Sequence, residues 1–441
     1  MSRPVSHTIL LSEASSLSAR ETITALGRRG HDVEVCASSP RAIGCFSRWV
    51  RRVHHVPSLA TAPAEYLRAV LEILEDGHIE VLLPVHEQAY LFAAAAALIP
   101  SSVHAPIAAF DAFERLQSKA ALSALLTQYE VPQPHTEVVR SPSDLSRVGS
   151  RFGPADYPLY LKREFGTASV GLQKLGTPAD LSAVAGHLER ARRTRGVEDE
   201  SSGDEMFILQ QAQAGVVERV QAIFDRGRLV AIHAYRQMAA GIGGGDVLKL
   251  SVRRPDVYEH VERIGAGIGW HGALAFDYIV EENAETSGRI RSRPYFIDAN
   301  PRLAEPVNAC LSGADLASAL VDVALGRFSG PCLVGREGVR TRLSLMGLLD
   351  AANLSRRRVR VFGELCDVAL GRGRYRNAAE ELTPISEDWK ACITLAAVAC
   401  RLLWDPASAD AVYRSSVAAY ALSPAAVTYA RTLARRPSAA S

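Results

Sequence analysis

The stretch Tyr295-Phe-Ile-Asp298-Ala-Asn300-Pro-Arg302 carries the pattern on which the fold assignment depends. Side chains alternate between the two faces of a strand, so Asp298 and Asn300 point the same way while their neighbours face the core. Two oxygen-bearing side chains therefore share one face, and a proline and an arginine follow them. An isolated Asp-x-Asn also ends many ordinary strands with turn-forming residues, so the pattern needs support from elsewhere in the chain.

Support comes from a second strand pattern, Phe276-Asp277-Tyr278, about twenty residues earlier. If the two strands pair, Asp277 adds a third oxygen to those of Asp298 and Asn300. Such a set suits Mg²⁺, a hard ion that needs few protein ligands when phosphates complete its octahedron. The two stretches together predict a site for a nucleotide and its metal.

A lysine on a third strand pattern, Tyr160-Leu-Lys162, runs into the loop Phe165-Gly-Thr-Ala-Ser-Val-Gly171. A lysine beside a loop of small residues offers a point charge and backbone N–H groups to phosphate oxygens. An exposed hairpin with a solvated lysine explains the same letters. No GxxxxGK[ST] occurs, and the glycines at 265–272 miss the GxGxxG spacing, which excludes P-loop and Rossmann interpretations.

Taken in this order, these pieces resemble the ATP-grasp superfamily, specifically its carbamoyl-phosphate-synthase-like and D-alanine-ligase-like carboxylate–amine ligases, over about residues 7–325. The closest motif is Asp298-Ala-Asn-Pro-Arg302, which is similar to the family's Glu-x-Asn-Pro-Arg. The resemblance implies an α/β N-terminal pre-ATP-grasp domain and an α+β ATP-grasp domain, with a mainly helical C-terminal region. We expect the boundaries 1–110, 111–330 and 331–441.

The resemblance also implies roles for individual residues. Magnesium, or Mn²⁺, would be held by Asp277, Asp298 and Asn300. The ATP phosphates would be contacted by Lys119 and Lys162, under a flap that contains Ser169 and Gly171. The adenine would meet the hinge residues Gln210, Gln211, Ala212 and Gln213, and the ribose would meet Glu218. The chain departs from the family at three points: the hinge has Gln where relatives have Glu, position 298 is Asp where most relatives have Glu, and one extra residue precedes Glu218. The shorter Asp298 side chain leaves open whether one or two metals bind.

Arg302 is the residue we expect to stabilise the reacting phosphate, because a forked guanidinium meets developing negative charge bidentately. A structural arginine that caps the turn is the alternative. Arg236 is expected to play a similar part, and Arg253 or Arg254 could hold a substrate carboxylate. The pair His54-His55 is interpreted as solvated charge.

Composition sets limits on the class of protein. The chain length of 441 residues exceeds the usual size of a domain with a single hydrophobic core, which predicts several domains. Of these residues 48% are apolar and 22% are charged, as in ordinary soluble enzymes. Lys plus Arg outnumber Asp plus Glu by only 50 to 48, so neither nucleic acid nor a membrane surface is the expected partner. The seven cysteines form no CxxC pair, and the N-terminus matches no signal or transit peptide, which together predict a reducing, cytoplasmic setting.

Periodicity predicts βαβ units before residue 110, a set of strands between 158 and 299, a polar loop over 281–293, and helices after about 330. The predicted function is an ATP-dependent ligase (ADP-forming) that activates a small-molecule carboxylate as an acyl phosphate and joins it to an amine. Amino acid substrates are the family-level expectation. The alternatives are a carboxylase or phosphotransferase acting through carboxyphosphate, and a catalytically silent nucleotide-binding regulator. The helical tail could close the active site, form a homodimer contact or recruit a carrier.

Overall fold

The computed structural model describes residues 6–166, 171–194, 206–284 and 290–435. The strands in these residues are β1 Thr8–Leu11, β2 Asp32–Ala37, β3 Val50–His55, β4 Val81–Leu83, β5 Thr136–Val139, β6 Leu159–Arg163, β7 Leu172–Leu175, β8 Phe207–Gln211, β9 Val216–Asp225, β10 Arg228–Ala240, β11 Asp246–Val252, β12 Gly272–Ala284, β13 Ile290–Asn300, β14 Leu333–Val334, β15 Arg340–Arg342 and β16 Ala379–Glu380. The α-helices are α1 Leu17–Arg28, α2 Pro63–Glu75, α3 Gln88–Ala94, α4 Phe110–Gln117, α5 Lys119–Gln128, α6 Leu145–Gly149, α7 Pro178–Thr194, α8 Pro255–Gly267, α9 Val307–Leu311, α10 Leu316–Ala324, α11 Ser344–Ser355, α12 Arg358–Leu370, α13 Ala391–Trp404, α14 Ala409–Tyr420 and α15 Pro424–Ala434.

The chain forms two compact units. Unit 1 comprises Met1–Phe113, Glu218–Ala275 and Asn300–Ser441, and unit 2 comprises Glu114–Val217 and Phe276–Ala299. This division differs from the three consecutive segments expected from the sequence. The C-terminal segment shares a unit with the N-terminal one, because compactness follows contacts in space rather than order along the chain.

Unit 1 contains a parallel sheet with the strand order β3-β2-β1-β4. The helix α1 begins after Ser16, whose Oγ accepts a hydrogen bond from the N–H of Ala19 at 3.0 Å. It ends at Arg28, and Gly30 at φ +83° then turns the chain into β2, a conformation that favours glycine. The βαβ rhythm predicted for this region is confirmed, although β3 was not foreseen.

One histidine on β3 corrects the sequence interpretation. His54 is only 8% exposed, and its Nε2 lies 2.6 Å from Oε2 of Glu34 on β2. The interpretation of His54-His55 as solvated charge is therefore wrong for His54. His55 points the other way and is exposed, as the alternation of side chains along a strand requires.

A second sheet in unit 1 has the order β9-β10-β11-β15-β16, with β14 beside β10. The pairs from β9 to β15 are antiparallel, and β15 pairs with β16 in parallel. The last three short strands lie in the region where strand signals fade in the sequence, because runs of two or three residues show no periodicity. The helix α11 buries apolar residues against Val247 and Leu248 of β11, and α13 packs on α11 and α12. This tail thus packs on the sheet.

Unit 2 is built on the antiparallel sheet β5-β8-β6-β7, with β12 and β13 as a second pair of neighbouring strands. Leu159 and Leu161 of β6 and Leu209 of β8 are buried in its core beside residues of α6 and α7. The polar loop expected over 281–293 is shorter than predicted, since β12 continues to Ala284 and β13 starts at Ile290. Among the described residues, no helix combines the length and apolar character needed to cross a membrane.

Candidate active site

Lys119 is held in place by its position at the start of α5. The N-cap residue Ser118 donates from Oγ to Oε1 of Glu164 at 2.7 Å, and the N–H of Lys119 donates to the Glu164 carbonyl at 3.1 Å. The Lys119 ammonium donates to Oδ1 of Asp298 at 2.9 Å and to the carbonyl of Gly166 at 3.3 Å. Unit 2 therefore brings a predicted phosphate-binding lysine to a predicted metal ligand.

Lys162 on β6 lies near the ion pair between Lys119 and Asp298. Its ammonium donates to Oε1 of Gln210 at 2.7 Å and to the carbonyl of Ile297 at 3.1 Å. Burial lowers the pKa of Lys162 to about 8; the Asp298 carboxylate acts in the opposite direction and the charge of Lys119 adds to the lowering. The two ammonium groups are thus close enough for the charge of one to affect the pKa of the other. A bound polyanion would reduce the repulsion between them.

The donor set predicted for magnesium is partly assembled within unit 2. Asp277 on β12 is half-buried and acts electrostatically on Lys162, and Asp298 on β13 is 30% exposed. These two carboxylates offer the hard oxygen atoms that Mg²⁺ prefers. Asn300 belongs to unit 1, so the complete three-residue ligand set stays a prediction. We call Lys119, Lys162, Asp277 and Asp298 the lysine–aspartate cluster.

The predicted adenine hinge is already bonded within the protein at several points. Gln210 is buried, and its Nε2 donates to Oγ1 of Thr136 at 2.9 Å. The N–H groups of Gln211 and Ala212 donate to backbone carbonyls at 2.9 and 3.0 Å. The Nε2 of Gln213 donates to the carbonyl of the neighbouring Ala214 at 3.4 Å. An adenine contact here would therefore fall to backbone carbonyls rather than to these two N–H groups, and the hinge assignment stays a prediction.

Gly171 is the predicted flap residue that the structure describes. Its φ is +80°, and a Cβ at this position would lie 2.8 Å from Cδ of Arg163. Both facts require glycine here. Ser169, the other predicted flap residue, lies outside the described residues.

In unit 1, Arg302 lies in a polar cluster and is 10% exposed. It donates from Nη2 to Oδ1 of Asn300 at 3.1 Å and from Nη1 to Oγ of Ser18 at 3.4 Å, and its Nε lies 3.6 Å from Oε1 of Glu87. Burial, together with the charge of Arg302, lowers the pKa of His86 well below its ordinary value. His86 and Glu87 follow β4, at the edge where ligands collect in parallel sheets.

Glu218 is fully buried and bonded to two arginines. Its Oε1 accepts from Nε of Arg236 at 2.9 Å, and both of its oxygens accept from Arg254 at 2.7 and 2.8 Å. Burial by itself would raise the pKa of Glu218, but Arg254 and Arg236 hold it below its usual range. This geometry does not favour the direct ribose contact expected from the sequence, since no part of the side chain is exposed. That contact stays a prediction, as does the phosphate role of Arg236.

A charged cluster that sequence reasoning missed surrounds Lys249 on β11. The ammonium lies 2.5 Å from Oε2 of Glu305, 2.7 Å from Oε2 of Glu381 and 3.7 Å from Oε1 of Glu21. Burial and the neighbouring Glu381 raise the pKa of Glu21 well above its ordinary value. We call these four residues the Lys249 cluster. Leu248, Lys249 and Leu250 alternate between apolar and charged along β11, a pattern that predicts a lysine facing solvent, so nothing in the sequence indicated the cluster.

Comparison with known proteins identifies the fold. No protein-family model and no curated protein matches the chain. Among solved structures, it is similar to Campylobacter jejuni biotin carboxylase in complex with β,γ-ATP (TM-score 0.57, 16% identity, 74% of this chain and 72% of that one). It is also similar to Staphylococcus aureus N5-carboxyaminoimidazole synthetase complexed with ADP (0.57, 10%, 81% and 87%) and to Bacillus licheniformis L-amino acid ligase (0.51, 12%, 74% and 77%).

These structures are ATP-grasp enzymes, so the chain has the ATP-grasp fold and the resemblance inferred from the sequence is confirmed at that level. Sequence identities of 10–16% carry the fold alone. Which reaction the site performs must be argued from its residues.

Proposed function

We propose that the protein is an ATP-dependent carboxylate–amine ligase that forms an amide bond through an acyl phosphate, with amino acids as substrates. The observation that carries the proposal is the lysine–aspartate cluster, in which Lys119 bonds Asp298 at 2.9 Å and Lys162 lies beside both. Two ammonium groups next to two carboxylates match the needs of a triphosphate and its metal.

In this reaction a carboxylate oxygen of the acid attacks the γ-phosphorus of ATP, and ADP leaves. The amine nitrogen then attacks the carbonyl carbon, the C–O bond to phosphate breaks, and the amine loses its proton. Positioning and charge stabilisation supply the rate enhancement. Lys119 and Lys162 bind and orient the phosphates, and the flap at Gly171 excludes water from an intermediate that water would hydrolyse.

Asp277, Asp298 and Asn300 are the residues that would hold Mg²⁺ or Mn²⁺. When bound, the metal neutralises phosphate charge and lowers the barrier to transfer. Lys119 forms an ion pair with Asp298, and on nucleotide binding the lysine would exchange this partner for a phosphate oxygen while the metal takes the carboxylate. Arg302 stabilises negative charge on the reacting phosphate, and Glu218 positions Arg236 and Arg254.

A second candidate is ATP-dependent carboxylation through carboxyphosphate, in which bicarbonate replaces the organic acid. It is favoured by the likeness to biotin carboxylase and to N5-carboxyaminoimidazole synthetase, both with a TM-score of 0.57. The two reactions share the ATP chemistry and differ in the acceptor, so one assay separates them.

The test measures ADP formation from ATP and Mg²⁺ against pairs of amino acids, with product masses recorded. The ligase predicts a mass equal to the sum of the two amino acids minus water, and a hydroxamate when hydroxylamine replaces the amine. Carboxylation instead predicts that turnover stops when bicarbonate is removed. A chain that binds ATP but forms no ADP across the acid and amine panel would contradict both and leave the regulatory alternative.

The assigned residues are tested with Asp298→Ala and Arg302→Ala, which should each abolish ADP formation while the circular dichroism spectrum stays that of the folded parent. Lys174→Met is the matched control, because Lys174 is exposed on β7, the strand paired with β6. The cytoplasmic location and a homodimer contact remain predictions.

A further inference from the structure

Two imidazoles in unit 1 converge on one oxygen of a carboxylate. The Nε2 atoms of His54 and His78 lie 2.6 and 3.2 Å from Oε2 of Glu34. One ligand atom from each of the three residues falls within 4.8 Å of the other two. We call these residues the histidine–glutamate cluster.

Three separate elements supply the cluster. Glu34 lies on β2, His54 on the adjacent β3, and His78 in the connection between α2 and β4. Glu34 and His54 are 6% and 8% exposed, whereas His78 is 35% exposed. The sheet therefore presets two ligands on rigid strands, and the third, on a connection, opens the cluster to solvent and provides an access route.

The distances suit a small divalent ion. Metal–nitrogen and metal–oxygen bonds of about 2.0–2.2 Å in a tetrahedral site place the ligand atoms about 3.3 Å apart. The His78 to Glu34 distance of 3.2 Å already meets that value, and the 2.6 Å between His54 and Glu34 needs an opening of less than an ångström.

We propose that Glu34, His54 and His78 bind a divalent transition metal of the zinc class, with a water molecule as the fourth ligand. Two imidazoles and one carboxylate favour such an ion over Mg²⁺, which takes oxygen ligands and keeps several waters. The ion would tie β2 and β3 to the connection that leads into β4. The proposal does not depend on the proposed function, because none of the three residues takes part in the ligase reaction.

The binding test uses the full chain without a polyhistidine tag, freed of metal by dialysis against a chelator and then titrated with Zn²⁺ in excess Mg²⁺ by calorimetry. We expect one Zn²⁺ per chain at this site, and Co²⁺ in its place should give the visible absorption bands of a tetrahedral ion. Glu34→Gln and His78→Ala should each weaken Zn²⁺ binding at least about tenfold. His78→Ala is the decisive variant, since a partly exposed residue on a connection can be replaced with little effect on the core.

The matched control is His55→Ala, which removes a histidine one residue away on the exposed side of β3. It should leave Zn²⁺ affinity and the Co²⁺ spectrum unchanged. The melting temperature gives an independent readout: Zn²⁺ should raise it for the parent and for His55→Ala but not for His78→Ala. Zn²⁺ affinity that is equal in the parent and in His78→Ala, or a Co²⁺ spectrum without tetrahedral bands, would overturn the proposal.

Discussion

The lysine–aspartate cluster of unit 2 and the Lys249 cluster of unit 1 contain the same kinds of charge but differ in their access to water. Lys119 and Asp298 are 12% and 30% exposed, whereas Lys249 and two of its three carboxylates are 0% exposed. A partly open ion pair can exchange its partner for a ligand. A fully buried ion pair cannot exchange its partner in this way, since no water is present to solvate either charge when the pair separates.

The largest expected effect is on the sealed cluster. Lys249→Met should lower the free energy of unfolding by about 3–5 kcal/mol, because it leaves three carboxyl groups together without their cation. Urea denaturation at pH 7 measures the change, with Lys174→Met as the exposed control, expected within about 0.5 kcal/mol of the parent. A Lys249→Met chain as stable as the parent would mean that the cluster adds no net stability.

The open cluster should respond in ligand binding instead. Lys162→Met should weaken the binding of ATP with Mg²⁺ about 10- to 100-fold, the loss expected for one charged hydrogen-bond donor. Its free energy of unfolding should change little, since removal of a buried ammonium also removes its desolvation cost. Equilibrium binding of a fluorescent ATP analogue, compared with Lys174→Met, measures the first effect; equal affinities would remove Lys162 from the phosphate site.

The buried surroundings of the Lys249 cluster also predict a dependence on pH. Burial, with the charge of Lys249 adding to it, lowers the pKa of His233 to about 4, while its Nε2 lies 2.8 Å from Oδ1 of Asn308. Between pH 6.5 and 4 the unfolded chain therefore binds a proton that the folded chain does not, so stability is full above pH 6.5 and falls as the pH drops.

At pH 5 the loss attributable to His233 should be about 2 kcal/mol. The measurement is the difference between pH 7 and pH 5 in the free energy of unfolding, for the parent and for His233→Gln. The difference should shrink in the variant, and an unchanged difference would show that His233 does not titrate in this range.

The smallest effect concerns two glycines. Gly171→Ala should destabilise the protein by about 1–2 kcal/mol, because an L-residue at φ +80° is strained and its Cβ meets Arg163. Gly363→Ala is the matched change inside α12, where nothing lies within 4 Å of the added Cβ, and should stabilise by about 1 kcal/mol. Thermal melts of both variants measure the two signs, and the same sign for both would contradict the backbone argument.

Local features of the site were accessible from the sequence. The strand that carries Asp298 and the strand that carries Lys162 were both predicted, although the first begins at Ile290, before the predicted Tyr295. Each rests on periodicity within about ten residues, which a single sequence displays. The short strands β14 to β16 carry no such signal and were missed.

Partners far apart in the chain were harder to foresee. Glu218, expected at a ribose, meets Arg236 and Arg254 instead, and Glu34 meets two histidines on other elements. No spacing of residues in the sequence predicts these contacts. They depend on strand register and on how the connection after α2 folds back over the sheet.

By itself, the sequence determined which segments form strands and helices around the motif at Asp298, because hydrophobic periodicity and turn residues act over a few neighbours. Only the tertiary structure decided that Lys119 bonds Asp298, 179 residues away, and that Lys249 is sealed among three acids. Such pairs form when sheets and helices pack, and the free energy of a buried charge depends on every group that surrounds it.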